Sequence, residues 1–196
     1  MTVRRTLLGL LLAGLILLIA VGVTQLPNNS SSDGKEALTA VQTSALLAGS
    51  PSPLAALHAQ AGMLLEGGGA ALHARLALLK GYPIVINKWA SWCVPCQEES
   101  PAFQRVSAEY GRRVAFIGID SEDSHRADGA AFLKSFPVSY PSYYDKSGAL
   151  GLQLTDSTFR PATVFIPAHG RPYIREGEYP SAAKLRRDVE RYALHA

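Results

Sequence analysis

The sequence predicts an α/β domain built on a mixed sheet. From residue 84 onward, short β-branched and aromatic runs alternate with helical stretches, the pattern of parallel strands joined by helices. Two further runs, Thr163–Ile166 and Pro172–Arg175, flank the turn Ala168-His169-Gly170-Arg171, which is a hairpin signal and adds antiparallel strands. Ser181 to Leu194 then closes the chain as an amphipathic helix, with Ala183, Leu185, Val189, Tyr192 and Ala193 on its inner face.

Ahead of that domain the chain carries a different kind of segment. Arg4 and Arg5 precede an apolar run of 17 residues, Leu7 to Val23, and no charge returns until Asp33. A membrane span takes about 20 residues and a signal-peptide core about 7–15, so this run lies between the two. Ala20-Val21-Gly22 offers a small-x-small cleavage site, but the length and leucine content favour an uncleaved signal anchor at residues 1–26. The paired arginines are expected on the cytoplasmic side, with everything after Val23 exported. Residues 27–52 are polar, turn-rich and aperiodic, ending in Ser50-Pro51-Ser52-Pro53, and read as a flexible linker. The domain proper spans 53–196, long enough for one sizeable core.

Within it, Leu54–Leu65 and Ala70–Leu79 read as helices separated by Gly67-Gly68-Gly69. That triplet has no preceding strand and no following Gly-Lys-Ser/Thr, so it is a loop and not a phosphate cradle. Gly81-Tyr82-Pro83 then punctuates the chain. Strand Ile84–Trp89, helix Pro95–Tyr110, strand Arg113–Asp120, helix Arg126–Ser135 and a strand near Tyr140–Tyr144 follow.

Composition removes several classes of function. Lys and Arg number 19 against 16 Asp and Glu; outside Arg4, Arg5, Lys35, Asp33 and Glu36 the balance is 16 to 14. That leaves no basic face for a nucleic acid. Two cysteines exclude both a disulfide-dense scaffold and an all-cysteine zinc site.

Those two cysteines stand at one place. Trp89-Ala90-Ser91-Trp92-Cys93-Val94-Pro95-Cys96 sets them just after a buried strand and at the start of a helix. Cys93 then sees free backbone N–H groups and the positive end of the helix dipole, and both favour thiolate over thiol. Cys96, one turn deeper, suits a resolving role, releasing the mixed disulfide that Cys93 forms. Pro95 occupies the first turn, where its missing N–H costs little. Three plainer readings stand beside redox chemistry. A static disulfide closing so few residues removes little chain entropy and is a poor staple. A metal site needs further ligands, yet His58, His73, His125, His169 and His195 are scattered singly. Chance burial of two cysteines does not account for the Trp-Cys-x-Pro-Cys setting.

The stretch Val85 to Pro101, with Trp89-Ala90-Ser91-Trp92-Cys93-Val94-Pro95-Cys96 at its centre, closely resembles the active-site segment of the thioredoxin-like TlpA/ResA family of thiol-disulfide oxidoreductases. The resemblance runs from about Tyr82 to Tyr192. It implies a thioredoxin-like fold, a central mixed sheet flanked by helices, behind an N-terminal anchor in the cell membrane. It also implies a redox-active disulfide between Cys93 and Cys96, no soluble cofactor and no metal. Substrates would be protein disulfides, as in cytochrome c maturation, and a membrane thiol carrier would supply electrons. By the same resemblance Glu99 handles the Cys96 proton, and Arg160-Pro161 is the cis-proline segment beside the nucleophile. Trp92, Pro95, Arg160 and Pro161 would then line the substrate groove. Pro101 is expected to kink the active-site helix. Asn87 stands where cytoplasmic thioredoxins carry a buried aspartate, which leaves more of the proton handling to Glu99. The favoured direction is reduction; a disulfide-forming oxidase and a copper-handling module are the alternatives.

Two departures from the family pattern raise their own expectations. Lys88 replaces an apolar residue and must snorkel out or find an acid. Arg160, where relatives often carry Gly-x-Pro, is expected to favour the thiolate or to select acidic partners.

Overall fold

The computed structural model describes residues 37–195. The expected signal anchor at 1–26 and the first ten residues of the expected linker lie outside them. Among the described residues, no helix is long and apolar enough to cross a membrane.

Six strands form one sheet: β1 (Leu64–Leu65), β2 (Ile84–Trp89), β3 (Ala115–Ser121), β4 (Ser142–Asp145), β5 (Ala162–Ile166) and β6 (Tyr173–Glu176). Their order is β1-β4-β3-β2-β5-β6. The first four are mutually parallel, whereas β5 runs antiparallel to β2 and β6 antiparallel to β5. The helices are α1 (Ala40–Leu47), α2 (Ser52–His58), α3 (Gly68–Leu78), α4 (Val94–Tyr110), α5 (Arg126–Ser135), α6 (Ala149–Thr155) and α7 (Ala182–Val189), the last continuing as a π-helical turn, Glu190–Leu194. This is the α/β architecture with a mixed sheet that the residue pattern predicts, and the thioredoxin-like arrangement that the resemblance implies.

β2 is buried along its whole length, which is why it is apolar on both faces apart from Asn87 and Lys88. Val85 belongs to a core under α4 and α7 with Phe103, Phe116, Phe165 and Leu185. Ile84 and Ile86 enter the opposite core with Leu54, Leu72, Ile117 and Leu150. A third, smaller cluster holds Trp89, Ala90, Cys93, Cys96 and Phe132. Trp89 and Phe132 stack at 4.3 Å, and the indole N–H donates to Ser142 Oγ at 3.2 Å.

α3 begins at Gly68, inside the glycine triplet read as a loop, and three larger differences from the sequence reading stand beside it. Residues 37–52, part of the expected linker, contain α1. A reciprocal cap starts it, with Thr39 N–H donating to Gln42 Oε1 (2.8 Å) and Gln42 N–H to Thr39 Oγ1 (3.2 Å). Leu38 N–H donates to Gln104 Oε1 of α4 at 3.1 Å, tying this end down. Second, the predicted helix over 54–65 ends at His58, and Leu64–Leu65 instead pairs with β4 as an edge strand. Gly62 N–H donates to Tyr140 O at 3.0 Å, so long-range pairing overrides the local helix propensity. Third, α6 has no counterpart in the sequence reading. It is one short helix containing Gly151, whose Cβ would lie 2.6 Å from Ser121 Oγ, so its glycine serves close packing on β3. Pro101 lies inside α4, which continues through it from Val94 to Tyr110.

Candidate active site

The register of β2 sets where its exit loop emerges. Trp89 pairs with Asp120 on one side, and Lys88 pairs with Ala162, directly after Pro161, on the other. Three loops therefore meet at one edge of the sheet: 90–93 after β2, 122–125 after β3, and 156–161 before β5.

Cys93 is the N-cap of α4 with extended backbone (φ −82, ψ 104), and Cys96 N–H donates to Cys93 Sγ at 3.2 Å. The sulfur thus occupies the acceptor position that a capping oxygen takes elsewhere. The two cysteines are joined in a disulfide. Cys93 is 4% exposed and Cys96 1%, so both are shielded and Cys93 is the more accessible. Around them the surface is apolar: Trp92, Val94 and Phe159 are each more than half exposed. The turn is held from beneath by Asp123, whose carboxylate accepts from Ser91 N–H (3.1 and 3.2 Å) and Ser91 Oγ–H (2.9 Å). Gln97 Nε2 donates to Ser91 O at 2.9 Å and closes the loop onto the helix.

Glu99 lies one turn along α4 from Cys96 and is 1% exposed. Asn87 Nδ2 donates to its Oε1 at 2.6 Å, and Tyr179 N–H donates to its Oε2 at 3.1 Å. Those bonds and nearby Arg175 favour the carboxylate, but burial outweighs them and pushes the acid up to about 8. Asn87 is therefore a donor to this buried acid.

The Arg160–Pro161 peptide bond is cis, as the resemblance implies. Arg160 does not present a free cation. Its Nη2 lies 2.5 Å from Glu122 Oε2, and its guanidinium stacks over the Trp92 ring at 4.9 Å from the centroid. Trp92 Nε1 in turn donates to Glu122 O at 3.4 Å. One ion pair thus ties the cysteine loop, the loop after β3 and the cis-proline segment together. Lys88 neither snorkels out nor meets an acid. It is 2% exposed, and its Nζ donates to Thr155 Oγ1 (3.1 Å) and Ser157 O (2.6 Å). Burial, and then Arg160, lower its pKa.

The structure therefore brings Cys93, Cys96, Glu99, Trp92, Pro95, Arg160 and Pro161 to one edge of the sheet. Sequence reasoning missed Asp123, Glu122 and the Tyr179 backbone. An acid cluster at the end of a buried strand, Asp120-Ser121-Glu122-Asp123, was the available signal for the first two. Nothing local marks Tyr179, 80 residues beyond Glu99. Among the described residues, no cluster of three or more His, Cys, Asp or Glu could hold a metal ion.

Known proteins resemble this chain in sequence and in fold. Residues 65–171, just over half of the chain, match the AhpC/TSA family. The thiol-disulfide oxidoreductase ResA of Oceanobacillus iheyensis is 31% identical over 96 residues, covering 49% of this chain and 50% of that protein. The thiol:disulfide interchange protein DsbE of Pseudomonas fluorescens biotype C is 38% identical over 96 residues, covering 47% and 49%. The chain spans about half the length of the curated relatives it matches. Among solved structures, a DsbF homologue from Corynebacterium diphtheriae superposes with a TM-score of 0.54 at 28% identity, covering 59% of this chain and 75% of that one. This chain belongs to the AhpC/TSA thioredoxin-like family, and its ResA and DsbE relatives support the TlpA/ResA-type assignment.

Proposed function

We propose that this protein is an extracytoplasmic thiol-disulfide oxidoreductase that reduces protein disulfides, with cytochrome c maturation as the setting. The observation that carries the reading is the cysteine pair at the N-terminus of α4, with Cys93 Sγ accepting a backbone N–H and a buried acid one turn beyond Cys96.

In the reduced protein Cys93 is the nucleophile. Its thiolate attacks one sulfur of the substrate disulfide, the substrate S–S bond breaks, and the departing thiolate takes a proton from solvent. Cys96 then gives its proton to Glu99 and attacks Cys93 Sγ. The mixed disulfide breaks, the second substrate thiolate leaves, and the Cys93–Cys96 disulfide forms. Two electrons have passed from the dithiol to the substrate. A base at about 8 matches a thiol whose ordinary value is about 8.5, so the proton moves between groups of nearly equal affinity.

The substrate chain lies over Trp92, Val94 and Phe159, with Pro95 and Pro161 shaping the groove and backbone pairing beside the cis-proline adding it as a strand. Arg160 holds Trp92 in place and does not attract acid, because Glu122 already answers its charge. Residues 1–26 anchor the domain to the membrane and 27–36 tether it, and a membrane thiol carrier returns the electrons. No cofactor enters this cycle.

A Cys96→Ser variant expressed in the native host tests this reading, because it stalls at the mixed disulfide. Disulfide-linked cytochrome c precursors are the expected catch, and an empty trap contradicts it. The direction is read from the reduction potential. A value near the ~−120 mV of a strong disulfide donor would make the protein an oxidase instead.

A further inference from the structure

Asp120 is wholly buried at the end of β3, and neither of its carboxyl oxygens accepts a bond from any donor among the described residues. The acid that bears on it most is Asp123, three residues on and itself an acceptor of three bonds from Ser91. Two acceptors attract only when one of them carries a proton. Asp123 already shows the bonding of a carboxylate, so the proton belongs on Asp120. The chain also makes room for this carboxyl. Gly129 lies mid-helix in α5, where glycine costs stability, and a Cβ there would stand 2.0 Å from Asp120 Oδ2. A carboxyl with no donor, an acceptor beside it and a helix hollowed out around it form a built feature.

We propose that Asp120 is a positioning residue held as a carboxylic acid, whose proton bridges to Asp123 and fixes that carboxylate beneath the Ser91 turn carrying Cys93. The charged groups around it agree. Asp123, Asp145 at the end of β4 and Asp128 of α5 all bear on it, Tyr144 of β4 stands against the pair, and Arg126 of α5 is engaged with Glu66. His125 pairs at 3.7 Å with Asp128. Burial, reinforced by the neighbouring acids, pushes Asp120 up to about 9. Asp123 then keeps a fixed orientation through the neutral range, and the turn before the nucleophile keeps its register. Above that range the bridge loses its proton, two carboxylates face each other, and the hold on Ser91 weakens.

This inference rests on the reading of the Cys93 turn as the reacting site, but its test uses the oxidised protein without substrate, so the two fail separately. In protein labelled with ¹³C at the aspartate carboxyls, one resonance should keep its protonated shift at pH 7, titrate only in alkali and vanish in Asp120→Asn. If every aspartate titrates below pH 5, the proposal is overturned. Ser91 amide exchange supplies the second readout. Asparagine still donates to Asp123, so Asp120→Asn should preserve protection, whereas Asp120→Leu should speed exchange about ten-fold or more, the scale of a hydrogen bond to a charged group. Equal loss of protection in both variants would also overturn it. If Asp120→Leu does not fold, the wild-type titration and Asp120→Asn decide the question.

Discussion

Glu99→Gln should uncouple stability from pH across the neutral range. Glu99 is raised from 4.5 to about 8 in the folded protein. A folded-state value above the unfolded one means that the native state holds the proton more tightly. Its contribution is therefore fully present below about 4.5 and is lost as pH rises toward 8. At 1.36 kcal/mol for each unit, the window from pH 5 to 8 spans about 3 kcal/mol for this group. Glutamine keeps the Asn87 contact but turns an amide toward Tyr179 N–H, which costs about 1 kcal/mol at every pH. The slope, not the offset, is therefore diagnostic. Urea unfolding of the oxidised domain from pH 5 to 8 keeps the cysteines silent, and Asp120 contributes equally to both proteins. Wild type should lose about 3 kcal/mol more than Glu99→Gln over that range. Parallel curves would refute the argument that burial outweighs the hydrogen bonds at Glu99.

Gly129→Ala should destabilise the fold by about 2 kcal/mol or more, although alanine is the better helix former by about 1, because the added Cβ meets Asp120 Oδ2. In an Asp120→Ala background the same change should become stabilising, and a double-mutant cycle by chemical unfolding reads the reversal. Arg160→Ala should raise KM for a peptide disulfide by loosening Trp92, while the absorbance titration of the Cys93 thiolate stays where it is. Arg160→Lys should not restore KM, since a lysine supplies no planar fork for Glu122 and the indole. Lys88→Met should stabilise the protein by about 1–3 kcal/mol at neutral pH, because the buried amine has no acid partner and its neighbours keep bonds of their own. A Tm below wild type would contradict that account.

The central strands were legible because their burial is written into composition. Ile84–Trp89 is apolar on both faces, apart from Asn87 and Lys88, and its predicted bounds are the observed ones. The cysteine motif carried its own location, since a strand, two cysteines and Pro95 can be arranged in few ways. Elements that depend on distant partners were harder to read. Leu64–Leu65 is a strand only because β4 lies beside it, and α6 is a short helix whose glycine answers to Ser121. The cap at Thr39 and Gln42 is a local signal, and it marks a helix where composition alone suggested a tether. The two unusual cations show the other limit. Lys88 and Arg160 could be located as departures, but Thr155, Ser157 and Glu122, which satisfy them, lie 38 to 69 residues away, beyond the reach of any local pattern.

The central claim is that Cys93 attacks and Cys96 resolves. Single-turnover mixing of the reduced domain with a peptide disulfide, quenched with acid and read by intact mass, tests it most directly. Cys96→Ser should accumulate one peptide in disulfide linkage at Cys93, Cys93→Ser should accumulate none, and wild type should pass rapidly to its internal disulfide. Adduct on Cys96 in the Cys93→Ser variant, formed as fast as that on Cys93, would contradict the account.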